Sequence, residues 1–330
     1  MYINSPYYIE RTEELICYLE INKPGGFICI KAPKQMGKTS LLMRIIAYCK
    51  KQGYKIIRLN LQKVDSTLGK DINKFLRWFC ANASIKLQLE AKLNEYWDQD
   101  ISSIESCSFY FQDYLLSVVN SPIVLAIEEV DRIFQFPEIA NDFLSMLRYW
   151  YKEAQEVKLW QKLRIVLVES TEIYIKMNIK KSPFNMGIGI DLSPFILGQI
   201  QELAKCYQIQ LLPREQKKLM ALLGGHPYLI NMTFSHIKSH HASLQNLIEI
   251  AGADTSIYRD HLHRHLQNIR QYPELQIAFE KVLQAATPVE LEESLAFKLK
   301  SMGLVVQLEG NLVMPSCDLY RQYFQKFIKN

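Results

Sequence analysis

The 330-residue chain is expected to be an α/β protein in three parts: a parallel-sheet core at residues 1–195, a helical lid domain at 196–265 and a winged-helix domain at 266–330. In the first part, short β-branched and aromatic runs alternate with longer helical patterns, which is typical of a parallel sheet covered by helices on both faces. After Pro194 the strand patterns stop and helices follow one another. A β-hairpin pattern near the end, flanked by helices, predicts the winged helix.

The strands of the core are predicted from apolar runs bounded by turn residues. They lie at residues 27–31, 55–61, 123–128, 164–169 and 189–192. Between the strands, apolar residues recur every three to four positions, which predicts crossover helices and hence parallel strands. These helices lie at residues 39–51, 70–87, 109–119 and 139–156.

The remainder of the chain is predicted to be mainly helical. The lid and the start of the last domain contain helices at residues 198–206, 213–223, 227–241, 257–272 and 274–285. The tail contains a helix at 291–302, a hairpin of strands 303–308 and 312–315, and a last amphipathic helix at 318–327. Glycine in the Glu-Gly-Asn sequence between the two short strands favours the hairpin turn.

Composition excludes several classes of protein. The longest unbroken apolar run has five residues, far fewer than the about 20 that a membrane-spanning helix needs. The seven cysteines are dispersed and form no C-x-x-C pair, which is typical of reduced thiols. The N-terminus lacks the pattern of a signal peptide, so we expect a cytoplasmic protein without a membrane partner. The net charge of +5 is mild and gives no concentrated basic surface for nucleic acid.

A segment between the first strand and its helix matches the phosphate-loop pattern G-x-x-x-x-G-K-[S/T], with alanine at the first glycine position. Backbone N–H groups of such a loop and of the following helix bind phosphate oxygens. Lys38 is expected to reach the β- and γ-phosphates, and Thr39 to supply a hydroxyl to Mg²⁺. The predicted nucleotide-binding residues are Ala32, Pro33, Lys34, Gln35, Met36, Gly37, Lys38, Thr39 and Ser40.

A second motif is the apolar strand 123–127 followed by Glu128 and Glu129. A buried strand that ends in two acids is the Walker B arrangement, in which the first acid holds Mg²⁺ and the second activates the attacking water. We therefore predict Glu128 as the metal partner, together with Thr39, and Glu129 as the general base. The first acid is usually aspartate, and the extra methylene of Glu128 alters the metal geometry. The alternative is a pair of merely solvated acids.

One strand, at residues 55–61, lies between the two motifs, which predicts an ASCE P-loop NTPase core with sheet order 5-1-4-3-2. No N-K-x-D guanine motif follows the loop, so ATP is favoured over GTP.

The fourth strand ends at Ser170 and Thr171, and either hydroxyl is a candidate sensor of the γ-phosphate. Capping of a following helix explains these two residues equally well.

His261 and His265, one helical turn apart, lack a third ligand and are expected to be packed or surface residues.

Several segments together resemble the bacterial AAA-like ATPase family, which is related to the STAND signalling ATPases and the archaeal ATPases. They lie at residues 8–14, 30–42, 128–132, 170–174, 182–185, 224–229, 301–304 and 317–324. The resemblance covers nearly the whole chain and implies an ATPase with ATP or ADP and Mg²⁺ as ligands. It also implies that His226 or Pro227 lies near the nucleotide and that Arg11 lies near the adenine.

Three functions remain open from the sequence. The first is a regulatory ATPase switch that self-associates on ATP binding or recruits an effector protein acting in trans. The second is a DNA-associated ATPase that uses its winged helix, although the tail of the chain is charge-neutral. The third is a nucleotide-binding scaffold with little hydrolysis, because Glu128 stands where aspartate is usual.

Overall fold

The computed structural model describes residues 5–98, 100–172 and 186–328. The strands of the core are β1 (Phe27–Ala32), β2 (Lys55–Asn60), β3 (Ile123–Glu128), β4 (Leu163–Ser170) and β5 (Ile188–Asp191). All four neighbouring pairs are parallel, and the order across the sheet is β2-β3-β4-β1-β5. This is the predicted order 5-1-4-3-2 counted from the opposite edge, so that prediction is confirmed.

The helices of the core connect the strands and cover the sheet. They are α1 (Thr12–Ile21), α2 (Lys38–Lys51), α3 (Ile72–Leu87), α4 (Leu93–Tyr96), α5 (Ser103–Phe109) and α6 (Pro137–Glu156). Where the sequence predicts one α-helix over 109–119, α5 continues instead as a π-helix over Tyr110–Leu116. The resemblance segments at 182–185 and at 173–174 lie outside the described residues.

Two hydrophobic clusters hold the helices against the sheet. Because successive side chains of a strand point to opposite faces, Phe27 and Cys29 join the cluster formed with α3, α5 and α6, whereas Ile28 and Ile30 pack with α1 and α2. Every residue of β3 is buried. A central strand covered on both faces explains why its sequence is continuously apolar rather than alternating.

The C-terminal half contains eight helices among the described residues and a small antiparallel sheet. The helices are α7 (Leu197–Cys206), α8 (Pro213–Leu223), α9 (Pro227–His240), α10 (Leu244–Glu249), α11 (Arg259–Arg270), α12 (Pro273–Gln284), α13 (Glu293–Ser301) and α14 (Asp318–Phe327). The strands are β6 (Val289–Glu290), β7 (Val305–Gln307) and β8 (Leu312–Pro315), in the order β6-β8-β7. The predicted domain boundary at residue 265 falls inside α11. No described helix is both long enough and apolar enough to cross a membrane.

The C-terminal half packs around a core of its own and touches the sheet domain near the phosphate loop. Its buried residues form one cluster that extends from Phe195 to Ile328 and takes in Ile9 of the N-terminal segment. The hydroxyl of Thr171, just after β4, donates to the carbonyl oxygen of Ser301 at 2.6 Å. These contacts bring α13 beside the carboxyl edge of the parallel sheet, where ligands of such sheets bind.

Candidate functional site

The loop between β1 and α2 has the conformation that an anion-binding loop requires. Gly37 has φ +100°, a value in the left-handed region that side-chain-bearing residues rarely adopt. The N-cap residue of α2 is Gly37, which has no side chain to compete with a ligand for the backbone N–H groups at this end of the helix. The combination of backbone N–H groups and the positive end of the helix dipole favours phosphate.

Lys38 lies at the first position of α2 and is 9% exposed. Its ammonium group donates to the carbonyl oxygens of Ala32 and Pro33, each at 2.8 Å. Burial lowers the pKa of Lys38, while the nearby carboxylates of Glu172 and Asp131 act in the opposite direction. A cation held in this way by two neutral carbonyls can exchange them for charged phosphate oxygens.

The two acids after β3 differ in their surroundings. Glu128 is 4% exposed and accepts a hydrogen bond from Nε of Arg58 on the neighbouring strand β2 at 2.6 Å. Glu129 has a left-handed backbone with φ +56° and lines the cavity described below. Burial and the adjacent Asp131 raise the pKa of Glu129, an effect that Lys38 partly offsets. Glu129 is therefore the acid that faces the cavity.

Asp131 is a buried acid that the sequence analysis did not select. It is 2% exposed, and its Oδ1 accepts the backbone N–H of Ser170 at 2.8 Å. This bond ties the segment after β3 to the end of β4. The sequence did offer one indication, because Asp131 lies two positions after Glu129 in the run Glu-Glu-Val-Asp.

The two candidate sensor residues point in different directions. Ser170 lines the cavity, and its hydroxyl is buried without a hydrogen-bond partner among the described residues. A buried hydroxyl of this kind calls for a partner beyond the described residues. Thr171 instead donates to the carbonyl of Ser301. Of the two, Ser170 is the one placed to meet a ligand.

A cavity of about 410 Å³ lies at this edge of the sheet, a size that suits a small organic ligand. Ten of the predicted site residues line it, namely Arg11, Lys34, Gln35, Gly37, Lys38, Thr39, Ser40, Glu129, Ser170 and Pro227. Six others are not among its lining residues, namely Ala32, Pro33, Met36, Glu128, Thr171 and His226. Residues of the wall that the sequence analysis missed include Tyr7, Tyr8, Phe195, Tyr228 and Asn231.

Arg11 connects the N-terminal segment to the phosphate loop. Its guanidinium donates to the carbonyl oxygen of Ser193 at 2.7 Å and to that of Met36 at 3.0 Å. It also lies over the ring of Phe195, with 4.8 Å between the guanidinium carbon and the ring centroid. Burial lowers the pKa of Arg11. The positive charge is thus held at the loop, beside the aromatic wall of the cavity.

His226 and Pro227 lie at the start of α9. Pro227 and Tyr228 line the cavity, whereas His226 packs behind them with its ring centroid 5.0 Å from that of His261. Burial lowers the pKa of His226 to about 3, so the ring is neutral at physiological pH. The described residues contain no group of three or more His, Cys, Asp or Glu side chains that could hold a metal ion.

Glu169 is expected to make the stability of the folded protein depend on pH. It is 8% exposed, and burial raises its pKa to about 7, an effect that Lys31 at 3.7 Å and Lys38 reduce and Asp131 increases. The folded protein therefore keeps this proton up to about pH 7, whereas the unfolded chain releases it near its ordinary pKa of 4.5. The contribution of Glu169 to stability is present below pH 4.5 and is lost as the pH rises to about 7.

The free energy of unfolding of the wild type should accordingly fall between pH 5 and pH 8. Glu169→Gln should make this fall smaller, by about 3 kcal/mol at most. Urea denaturation of the variant and the wild type at both pH values measures this difference. Glu156→Gln, which changes an exposed carboxylate at the end of α6, is the control and should leave the slope unchanged. Equal slopes for Glu169→Gln and the wild type would show that Glu169 is already ionised in the folded protein.

The sheet order, the loop before α2 and the acids after β3 define a P-loop fold of the AAA-like type. Residues 1–326 match the AAA-like domain family, and the chain belongs to that family. The resemblance noted from the sequence is therefore confirmed.

Solved structures share this fold over nearly the whole chain. The Walker-type ATPase of Pyrococcus abyssi has a TM-score of 0.64 at 14% identity, with 96% of each chain covered. The ORC2 protein of Aeropyrum pernix has a TM-score of 0.52 at 13% identity, with 99% of this chain and 98% of that one covered. At such low identities the likeness shows the fold alone.

A curated relative is an uncharacterized WD repeat-containing protein of Synechocystis sp. It is 23% identical over 236 residues, which make up 68% of this chain and 19% of the relative. The chain thus spans about a fifth of the length of that relative.

Proposed function

We propose that this protein binds and hydrolyses ATP as a regulatory switch of the STAND and AAA-like type, whose nucleotide state controls self-association or recruitment of a partner protein. The observation that carries the proposal is the position of the cavity between the two halves of the chain. Lys38 and Glu129 form one wall, and Pro227 and Tyr228 of α9 form another. A ligand that contacts both halves can favour one arrangement of them over another.

The lining residues suit the two ends of a nucleotide. The uncapped N-terminus of α2, together with Lys38 and Arg11, offers hydrogen-bond donors and positive charge to the phosphates. Tyr8 and Phe195 offer aromatic surface to a base. The ORC2 protein of Aeropyrum pernix, which shares this fold, was solved in ADPNP and ADP complexes, and this supports a nucleotide here.

Hydrolysis would use the acids at the end of β3. Glu129 would accept the proton of the attacking water, and its raised pKa brings it closer to the range in which a general base works at neutral pH. The hydroxyl of Ser170, which has no hydrogen-bond partner among the described residues, would contact the γ-phosphate or that water. Thr39 and Glu128 would hold Mg²⁺, which would supply positive charge to stabilise the phosphates.

The switch is tested by the solution mass of the Glu129→Gln protein, measured by light scattering with Mg-ATP and with Mg-ADP. This variant should bind ATP without consuming it. The proposal expects a larger mass with Mg-ATP than with Mg-ADP. A mass that is the same with both nucleotides would contradict self-association as the output of the switch.

The contact between Glu128 and Arg58 favours a second candidate function, a nucleotide-binding scaffold with little hydrolysis. The guanidinium of Arg58 already occupies the carboxylate that would hold Mg²⁺, with 2.6 Å between Nε and Oε1. In that case nucleotide would stabilise the protein against unfolding without release of phosphate.

Glu128→Asp should then raise the rate of ATP hydrolysis by about tenfold, the size of effect that a better-oriented metal environment gives. The shorter side chain withdraws from Arg58, whose own side chain is 41% exposed and can return to solvent. Phosphate release under saturating Mg-ATP measures the effect. The double variant Glu128→Asp/Glu129→Gln is the control and should stay inactive. An unchanged rate in Glu128→Asp would show that Glu128 does not limit hydrolysis.

We infer that α12 to α14 with the small sheet form a winged-helix domain, but the contacts of its arginine do not favour DNA binding. Of the two basic residues of α14 that the DNA hypothesis would use, Arg321 and Lys326, Arg321 donates to the carbonyls of Leu283 and Ala285 at 2.8 and 2.7 Å. Its guanidinium therefore holds α14 to the end of α12. Only α13 lies between β6 and β7 in the described chain, where a helix-turn-helix reader would present two helices.

A further inference from the structure

A buried chain of hydrogen bonds links the last helix of the protein to the phosphate loop. The hydroxyl of Tyr320 in α14 lies 2.7 Å from Nε2 of His261 in α11, and Nδ1 of His261 lies 2.7 Å from Oε1 of Gln35. Tyr320 and His261 are each 2% exposed. The three residues are distant in the sequence and meet only through the packing of the C-terminal half on the sheet domain.

Burial sets the protonation states of the two ionisable side chains in this chain of hydrogen bonds. Burial holds the pKa of His261 well below its ordinary value and that of Tyr320 well above its own, so the imidazole is neutral and the phenol keeps its proton. Because Oε1 of Gln35 can only accept, the hydrogen-bond network assigns the imidazole proton to Nδ1. Tyr320 then donates to Nε2 of His261, and Nδ1–H of His261 donates to Gln35.

Gln35, which receives the hydrogen bond from His261, has an unfavourable backbone conformation. It is not a glycine, yet its backbone has φ +65°, a conformation that costs free energy for a residue with a side chain. It also lines the cavity. The hydrogen bond from His261 holds its side chain while the backbone stays in this conformation.

The two residues before Gln35 are also held from the C-terminal half. The backbone N–H of Lys34 donates to Oε1 of Glu172 at 2.9 Å, and Arg264, one turn after His261 on α11, lies 3.7 Å from the same oxygen. Gly303, which follows α13, packs so closely on Pro33 that a Cβ there would lie 3.1 Å from its ring. Pro33 and Gln35 thus contact the C-terminal half directly, and Lys34 is linked to it through Glu172.

We propose that Tyr320 and His261 are positioning residues of the phosphate loop, and that through them nucleotide binding and the docking of α14 are coupled. The proposal rests on the proposed binding of nucleotide at this loop. Coupling is reciprocal: if the docking of α14 favours the binding conformation of the loop, bound nucleotide stabilises the docking of α14 by the same factor. The nucleotide site would therefore be complete only with the last helix in place.

The test is Tyr320→Phe, which removes one hydroxyl that does not line the cavity. Its affinity for Mg-ADP, measured by calorimetry, should fall about fivefold, the size that the net loss of one hydrogen bond gives. In a Gln35→Ala background the same substitution should have no further effect, because the link to the loop is already broken. Tyr323→Phe is the matched control, since it is an equally buried tyrosine of α14 whose hydroxyl faces Asp254 at 3.5 Å. Its affinity should equal that of the wild type.

Hydrogen exchange of the loop amides at residues 34–37 without nucleotide provides a second readout. Tyr320→Phe should speed this exchange about fivefold, and Tyr323→Phe should not. Equal behaviour of the two variants in both measurements, or additive effects of Tyr320→Phe and Gln35→Ala, would overturn the proposal. A wild type that does not bind Mg-ADP, combined with faster loop exchange in Tyr320→Phe alone, would overturn the proposed function while the positioning role stands.

Discussion

Lys38→Ala should weaken the binding of Mg-ATP by at least about a hundredfold. A buried ammonium that donates to phosphate oxygens contributes about 1.5–3 kcal/mol for each charge-assisted hydrogen bond. In the structure this ammonium donates to the carbonyls of Ala32 and Pro33, at the start of the loop that would cradle the phosphates. Calorimetric titration of the variant and the wild type with Mg-ATP gives the ratio of affinities.

Two controls separate loss of the phosphate contact from loss of the fold. Lys51→Ala removes an exposed lysine at the far end of the same helix and should bind Mg-ATP like the wild type. Thermal unfolding without nucleotide should be little changed in Lys38→Ala, because the variant also removes the cost of burying the charge. Wild-type affinity in a folded Lys38→Ala protein would refute the assignment of residues 32–39 as a phosphate loop.

Glu129→Gln should keep ATP bound and reduce hydrolysis by about 10²–10⁴-fold, the contribution usual for a positioned general base. The amide of glutamine has nearly the shape of the carboxylate but cannot accept the proton of the attacking water. The backbone of Glu129 is left-handed in the structure, and glutamine has no added branch at Cβ to strain it. Phosphate release under single-turnover conditions, beside a binding titration, separates the two effects.

Glu138→Gln makes the same chemical change at an exposed position in the first turn of α6 and serves as the control. It should hydrolyse ATP at the wild-type rate. Turnover at the wild-type rate in Glu129→Gln would mean that another group takes the proton, and Asp131, buried beside Glu129, would then be the next residue to change.

The strands of the parallel sheet could be predicted because their determinants are local, and their order was predicted from the one strand that lies between the two motifs. An apolar run such as 123–127 is shorter than a usual helix and is typical of a buried strand, and the crossover helices fix the direction of each neighbour. The sharp turn before α2 could likewise be predicted, since glycine at 37 permits the φ of +100° that the backbone has there. His261 and His265 are each 2% exposed, so they are packed rather than surface residues, one of the two placements that the sequence allowed for them.

The features that the sequence did not predict depend on contacts between distant residues. Arg58 meets Glu128 only because β2 and β3 are neighbours in register, with Asn60 paired to Glu128. Gln35 and His261 are 226 positions apart, and only the docking of α11 brings them together. No local pattern encodes such pairs, because the partner of each residue comes from a distant element of the chain.

The aromatic wall of the cavity was missed for a similar reason. Tyr7 and Tyr8 belong to the segment before α1, and Phe195 follows the last strand of the sheet, so each looks like an ordinary core residue in the sequence. Their shared position beside the phosphate loop arises when the N-terminal segment packs into the hydrophobic cluster of the C-terminal half.

The most direct test of this account is a calorimetric titration of the wild-type protein with Mg-ATP, with Mg-GTP titrated in parallel. We predict saturable binding of one ATP per chain and weaker binding of GTP, since no guanine-reading motif accompanies the phosphate loop. The absence of saturable binding by either nucleotide, in a protein shown to be folded, would contradict the assignment of the cavity as a nucleotide site.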